Sequence, residues 1–132
     1  MMMAVLLAAV LQATVPMRAI DKGTMSQIDG ARQAVARSAA EWSTLWSQHA
    51  GDRARPAVDF NKDMVVAVFL GTRPTAGFSV EVVGAREEGA TLVVSYRESR
   101  PQPGAVAAQV LTSPFHLVAV PRHGDVKWER VS

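Results

Sequence analysis

The 132-residue chain has no cysteine, a single tyrosine and almost no surplus charge, with 14 Lys and Arg against 12 Asp and Glu. Without cysteine there is no disulfide framework, thiolate nucleophile or thiolate zinc site, and the redox compartment cannot be read from pairing. A net charge of +2 supplies no clustered basic face of the kind a dedicated nucleic-acid binder needs, so no nucleic-acid partner is expected. The length fits one domain. Apolar residues make up 48% of the chain, enough for a packed core and too many for disorder.

Charge is also absent from Met1 to Val15, where Ala4 to Leu11 is wholly apolar. This reads as the hydrophobic part of a secretory signal over residues 1–15, leaving a single domain over 16–132. The run falls short of the ~20 residues a spanning helix needs, and Pro16 follows it. No basic residue precedes it, and the best cleavage point, after Ala13, has Leu11 where a small residue is preferred; a buried N-terminal helix is the alternative. The expectation is an exported protein, periplasmic or extracellular, whose mature chain begins between Thr14 and Ala19 and has no membrane association after processing.

Partial alternation over Met17 to Asp21 and Gln33 to Arg37 predicts two short strands, separated by turn signals at Gly23 and Asp29-Gly30. Ser38 and Glu41 form a capping box: the Ser38 hydroxyl accepts from the Glu41 amide and the Glu41 carboxylate reaches back to the Ser38 amide. A helix then starts at Ala39, carries Trp42, Leu45, Trp46 and His49 on one stripe, and stops at Gly51. Two tryptophans on so short a helix demand a flat surface to dock on, which is a sheet. Met64 to Leu70 is a continuous β-branched run, the pattern of a central strand covered on both faces. Phe78 to Val83 and Leu92 to Arg97 alternate and form an antiparallel hairpin turning at Glu87-Glu88-Gly89. Val106 to Leu111, Phe115 to Pro121 and Val126 to Val131 are further strand candidates, after a loop at Arg100 to Gly104. The fold class is α+β: one short amphipathic helix packed on a mostly antiparallel sheet of about six to eight short strands.

Chemistry-bearing residues are sparse. His49 closes the helix stripe as a packing residue near a helix C-terminus, where the macrodipole favours a cation, and His123 sits in a turn. Ser113, His116 and Asp59 can be assembled into a hydrolase on paper, but no nucleophile elbow and no His-Glu-x-x-His pair supports it. No catalytic residue, metal or cofactor is expected. Gly71 to Gly77 carries no Lys-Ser/Thr and is not a phosphate loop. It is nonetheless the most informative stretch: a glycine ending a buried strand, Pro74 fixing φ, and a second glycine before Phe78 specify a shaped connection. A purely structural turn is an equally good reading of it.

Met64 to Gly71, then Arg73-Pro74-Thr75-Ala76-Gly77-Phe78, then Gln109 to Val118 with its Thr112-Ser113-Pro114-Phe115-His116, resembles the PrcB-like family of bacterial protease complex subunits. The similarity extends over roughly residues 20 to 131, including Lys22-Gly23 and Glu41-Trp42-Leu45-Trp46 upstream. Phe78 and Phe115 stand where the family often has Tyr, and Trp128 where it has Phe. The resemblance implies a non-catalytic exported accessory protein that binds and stabilises or matures a secreted protease. A looser similarity links Pro74 to Phe78 with the inhibitory loop of chagasin-type cysteine-protease inhibitors; that family is an all-β sandwich, and the capped helix points away from it. The candidate partner surface is therefore Arg73, Pro74, Thr75 and Phe78 with Thr112, Phe115 and His116, where Arg73 is expected to project from the turn. An inhibitor-like use of the Arg73 to Phe78 loop is the alternative. Aromatics on strands are more often core than contact, which applies to Phe78 and Phe115.

Overall fold

The computed structural model describes residues 14–132. Most of the expected signal segment lies outside the described residues, but its last two residues belong to the domain. Thr14 bridges Arg86, the Val15 amide donates to the Ala85 carbonyl at 2.9 Å, and the Val15 side chain is buried.

Seven strands and one helix follow in the order β1 (Arg18–Gly23), β2 (Arg32–Ala36), α1 (Ala39–Ala50), β3 (Asp63–Phe69), β4 (Ser79–Glu88), β5 (Thr91–Ser99), β6 (Phe115–Pro121) and β7 (Asp125–Val131). The fold is α+β as expected, but the strands divide into two sheets. One is fully antiparallel in the order β1-β6-β3-β2; the other runs β4-β5-β7, with β4 antiparallel and β7 parallel to β5. Strand β3 is apolar from Met64 to Phe69 because both of its faces are covered there. Met64, Val66 and Val68 meet Val80, Val82, Leu92 and Val94 of the second sheet, while Val65, Ala67 and Phe69 meet the helix. In β6, Val118 and Val120 face the second sheet and Phe115 and Leu117 the helix, which completes three layers.

The helix forms where its caps place it. Ser38 Oγ accepts from the Glu41 amide at 3.1 Å, and the Gly51 amide, at φ 65°, donates to the Ser47 carbonyl. The reciprocal half of the box differs from expectation: Ser38 is extended, and Glu41 accepts from the Arg37 amide at 2.7 Å instead. Trp42, Leu45 and Trp46 are buried against β3 and β6. Their indole N–H groups donate to the carbonyls of Pro56 and Arg53, which ties down the loop after the helix.

Two strand expectations are corrected. The β4–β5 hairpin extends to Glu88 and turns at Gly89-Ala90, with a bulge at Val83. Val106 to Leu111 is not a strand. It takes one bond from the Ala76 amide to the Ala108 carbonyl and bends back through Val110 N to the same carbonyl, leaving Val106, Val110 and Leu111 exposed. Apolar alternation needs a sheet edge to become a strand, and none receives this segment.

Candidate functional site

The loop after β3 is built by two glycines that tolerate no side chain. Gly71 has φ 80°, and a Cβ there would lie 2.7 Å from the Ala31 amide nitrogen; Gly77 has φ 96°, and a Cβ would lie 2.7 Å from Pro101 Cγ. Between them Arg73 pairs with Thr112 through both backbone groups, N to O at 2.7 Å and O from N at 3.0 Å. Thr112 Oγ1 then donates to the Thr75 carbonyl at 3.0 Å, and the Ala76 amide to Ala108 at 3.0 Å. The segments around Arg73 and Thr112 are thus joined, and the loop is laced down on both flanks rather than protruding. Arg73 is half-buried, its guanidinium lying 5.9 Å from the Phe78 ring centroid, so it does not project freely as expected.

Three residues assigned to the partner surface turn inward. The Thr112 side chain is buried on the Thr75 carbonyl. Phe115 faces the helix, its ring 4.3 Å from that of His49. His116 is on the opposite face, where Nδ1 accepts from the Val82 amide at 2.8 Å beside the β4 bulge. Burial, reinforced by Lys22 and opposed by Glu81, lowers the His116 pKa and favours the neutral ring that this bond requires. Successive β6 side chains alternate between faces and both faces are covered, so the surface is left with Arg73, Pro74, Thr75 and the half-buried Phe78. The paper hydrolase does not assemble either. Ser113 Oγ lies 3.4 Å from Thr72 Oγ1, His116 is bonded to backbone, and Asp59 accepts from the Asn61 amide.

A different Ser-His-Asp chain does form. Ser26 Oγ lies 2.7 Å from His49 Nδ1, His49 Nε2 lies 2.9 Å from Asp21 Oδ2, and Arg53 donates to the same oxygen at 3.0 Å. With Asp21 ionised, Nε2 carries the proton and Nδ1 accepts from the serine hydroxyl. Burial lowers the His49 pKa against the opposing pull of Asp21, so the neutral ring wins over the macrodipole's preference for a cation. Chemically the trio is nucleophile, base and orienting acid, but the surroundings spend every group on the fold. The Ile28 amide donates to Ser26 Oγ, the Ser26 amide to Ser113 and the Gln27 amide to His49, so these amides do not converge on an oxyanion position. A hollow of about 540 Å³ above Asp21, His49 and Arg53 is not lined by Ser26. The cluster latches β1 and the 24–28 segment to the helix. Residues 21, 26 and 49 show no motif spacing; the one clue was a histidine on an otherwise apolar stripe.

The second polar constellation lies at the open end between the sheets. A cleft of about 350 Å³ over the end of β3 is walled by Arg32 and Gln33 of β2, Tyr96 and Glu98 of β5, and Arg73. Gln33 Nε2 donates to Tyr96 Oη at 3.3 Å. Among the described residues, Arg32, Arg73 and Glu98 take part in none of the ion pairs, which join Lys22 to Glu81, Asp21 to His49 and Arg53, Arg86 to Glu88 and Glu129, and His123 to Glu87. No group of three or more His, Asp or Glu side chains among the described residues is placed to hold a metal ion.

Residues 64–121 match the family model described as PrcB C-terminal, so this segment is similar to that family. The matched segment runs from β3 through β6 and includes Arg73, the Thr112 pairing, Tyr96 and Glu98; Arg32, Gln33 and the helix lie outside it. Neither the curated proteins nor the solved structures contain a match.

Proposed function

We propose that the protein is a non-catalytic, exported accessory subunit that binds a secreted protease and stabilises or matures it, using the surface centred on Arg73. The observation that carries this reading is the Arg73 loop: a guanidinium fixed by a doubly bonded backbone, by Pro74 and by the Phe78 ring, yet joined to no carboxylate among the described residues. A side chain already ordered loses little entropy on binding, and arginine is enriched at the energetic centres of interfaces. The PrcB-like segment supports a protease-complex partner, since it contains this loop. Beside it, Leu111 is 69% and Met25 73% exposed, apolar area of the kind a partner covers. Inhibition by insertion is the weaker reading, because the Arg73 to Phe78 loop is tied at Thr75, Ala76 and Gly77 and does not stand clear of the domain.

The test is co-purification from an exported, tagged protein. A secreted protease or its precursor captured by the parent chain, and lost with Arg73→Ala, supports the reading; capture that survives the substitution moves the surface elsewhere. Sequencing the mature N-terminus tests export. Because Val15 is part of the core, processing at or before Val15 is expected, with Thr14 as the first residue after cleavage at Ala13. An intact Met1 on all recovered protein contradicts export.

A further inference from the structure

We infer that the chain pairs with a second copy of itself through the free edge of β2, the two strands running antiparallel about a two-fold axis so that their sheets become continuous. The inference goes beyond the proposed function and does not depend on it. Four strands lie at sheet edges: β1 and β2 in one sheet, β4 and β7 in the other. An open edge offers unpaired N–H and C=O groups to any strand that fits, and folds blunt such edges with bulges, charges or a covering segment. Three of the four are blunted in this way. A bulge breaks β1 between Ala19 and Asp21; another breaks β4 between Val82 and Gly84, where Val15 also bonds to Ala85; and β7 carries Asp125, Lys127, Glu129 and Arg130. Strand β2 has none of these devices. Its register against β3 is unbroken from Arg32 to Ala36, only its first residue is charged, and among the described residues no backbone group outside the sheet bonds to it.

The charge along this edge identifies the occupant as a second copy. Arg32, Ala34 and Ala36 lie opposite Phe69, Ala67 and Val65, so their side chains share the helix face. There β2 and the exposed helix flank, which carries Glu41, Thr44 and Gln48, border an open groove of about 440 Å³. Glu41, bonded to the Arg37 amide at 2.7 Å, marks the end of the groove where β2 stops, and Arg32 marks the end where it starts. Both are exposed, and neither takes part in an ion pair among the described residues. Antiparallel pairing centred on Ala34 sets Arg32 opposite Ala36 of the second copy, so the positive end of each groove meets the negative end of the other. A two-fold contact requires this self-complementarity, because the same patch must fit its own image. The strand edges supply backbone bonds in one direction, and the paired charges fix the register.

The experiment is analytical ultracentrifugation of the whole protein from about 1 μM to about 1 mM, the range in which a small interface associates. A concentration-dependent equilibrium between monomer and dimer is expected. Arg32→Glu and Glu41→Arg should each weaken it by about tenfold or more, because each sets like charges together at both ends of the contact. An equimolar mixture of the two variants restores opposite charges at both ends and should recover association to within about threefold of the parent. Arg32→Glu lies at an exposed strand start and leaves the helix cap intact, so its effect decides the matter alone if Glu41→Arg loosens the helix. Amide hydrogen exchange gives a second readout: alternate amides within residues 32–36 should exchange more slowly at the high concentration. The inference is overturned by a monomer throughout the range, which would leave the edge to a strand of another protein, or by a dimer that Arg32→Glu leaves unchanged. It is equally overturned by folded variants whose mixture does not recover association, or by β2 amides that exchange alike at both concentrations.

Discussion

The latch beneath the helix and the cleft at the mouth of the sheets use similar residues and end in opposite states. In the latch, Ser26, His49, Asp21 and Arg53 form a continuous chain of hydrogen bonds, capped by the Ile28 amide at one end. In the cleft, Gln33 and Tyr96 are bonded to each other while Arg73 and Glu98 take part in no ion pair among the described residues. The Ser-His-Asp trio ties β1 and the 24–28 segment to the helix, and the neighbouring amides do not converge on an oxyanion position. Buried polar groups left without partners are costly, so a fold satisfies those it encloses. Charges at an open mouth carry no such penalty and remain available to a ligand. The state of pairing, more than residue type, separates the two roles.

The strongest way to break this contrast is to cut the latch. His49→Ala leaves a cavity beside Phe115 and removes the partner of both Ser26 and Asp21, and Trp42→Ala empties the same layer; each should cost about 3–5 kcal/mol in denaturant unfolding. A loss under about 1 kcal/mol for His49→Ala would mean that the latch does not hold the helix. Next in size is Gly71→Ala, which combines a left-handed backbone with a rigid contact on the Ala31 amide and should destabilise by about 2 kcal/mol or more. Thr112→Val keeps the shape of the side chain but frees the Thr75 carbonyl, at about 1 kcal/mol.

The two buried histidines sharpen the comparison through pH. Both have folded pKa values below the unfolded 6.5, so the unfolded chain binds more protons as pH falls below that value. Stability is therefore full above pH 6.5 and declines as pH drops from there toward the folded values. The geometries differ in what protonation breaks. A protonated His116 loses the Nδ1 lone pair that accepts from Val82, whereas a protonated His49 still faces the Asp21 carboxylate. His116→Gln, which keeps an acceptor for the Val82 amide, should flatten the acid limb of a stability-versus-pH curve more than His49→Gln does. A flat limb in the parent protein would show that neither ring is held neutral.

Much of this frame is legible in the chain. The unbroken run from Met64 to Leu70 announces a strand covered twice, and Ser38 with Glu41 marks the helix start to the residue. The division into two sheets is not legible, because the parallel pairing of β7 with β5 has no local signature. The sequence reading places Phe115 and His116 on one partner surface, whereas adjacent strand residues point to opposite faces, and only the tertiary arrangement shows that both faces of β6 are covered. Val106 to Leu111 reads as a strand because periodicity records side-chain type and not the presence of a neighbouring edge. For the site, the glycines, Pro74 and Arg73 were visible as a shaped loop. The cleft was not, since Gln33 and Glu98 are ordinary surface residues until β2 and β5 bring them to one mouth.

The smallest expected change in stability belongs to Arg73→Ala, and it carries the central claim that the unpaired arginine serves binding while the paired latch serves the fold. Its unfolding free energy and its association with the captured partner should be measured side by side with those of the parent protein. The account predicts stability within about 0.5 kcal/mol of the parent and association weakened by about 1 kcal/mol or more. Unfolding of the domain by this one substitution, or association equal to that of the parent, would contradict it.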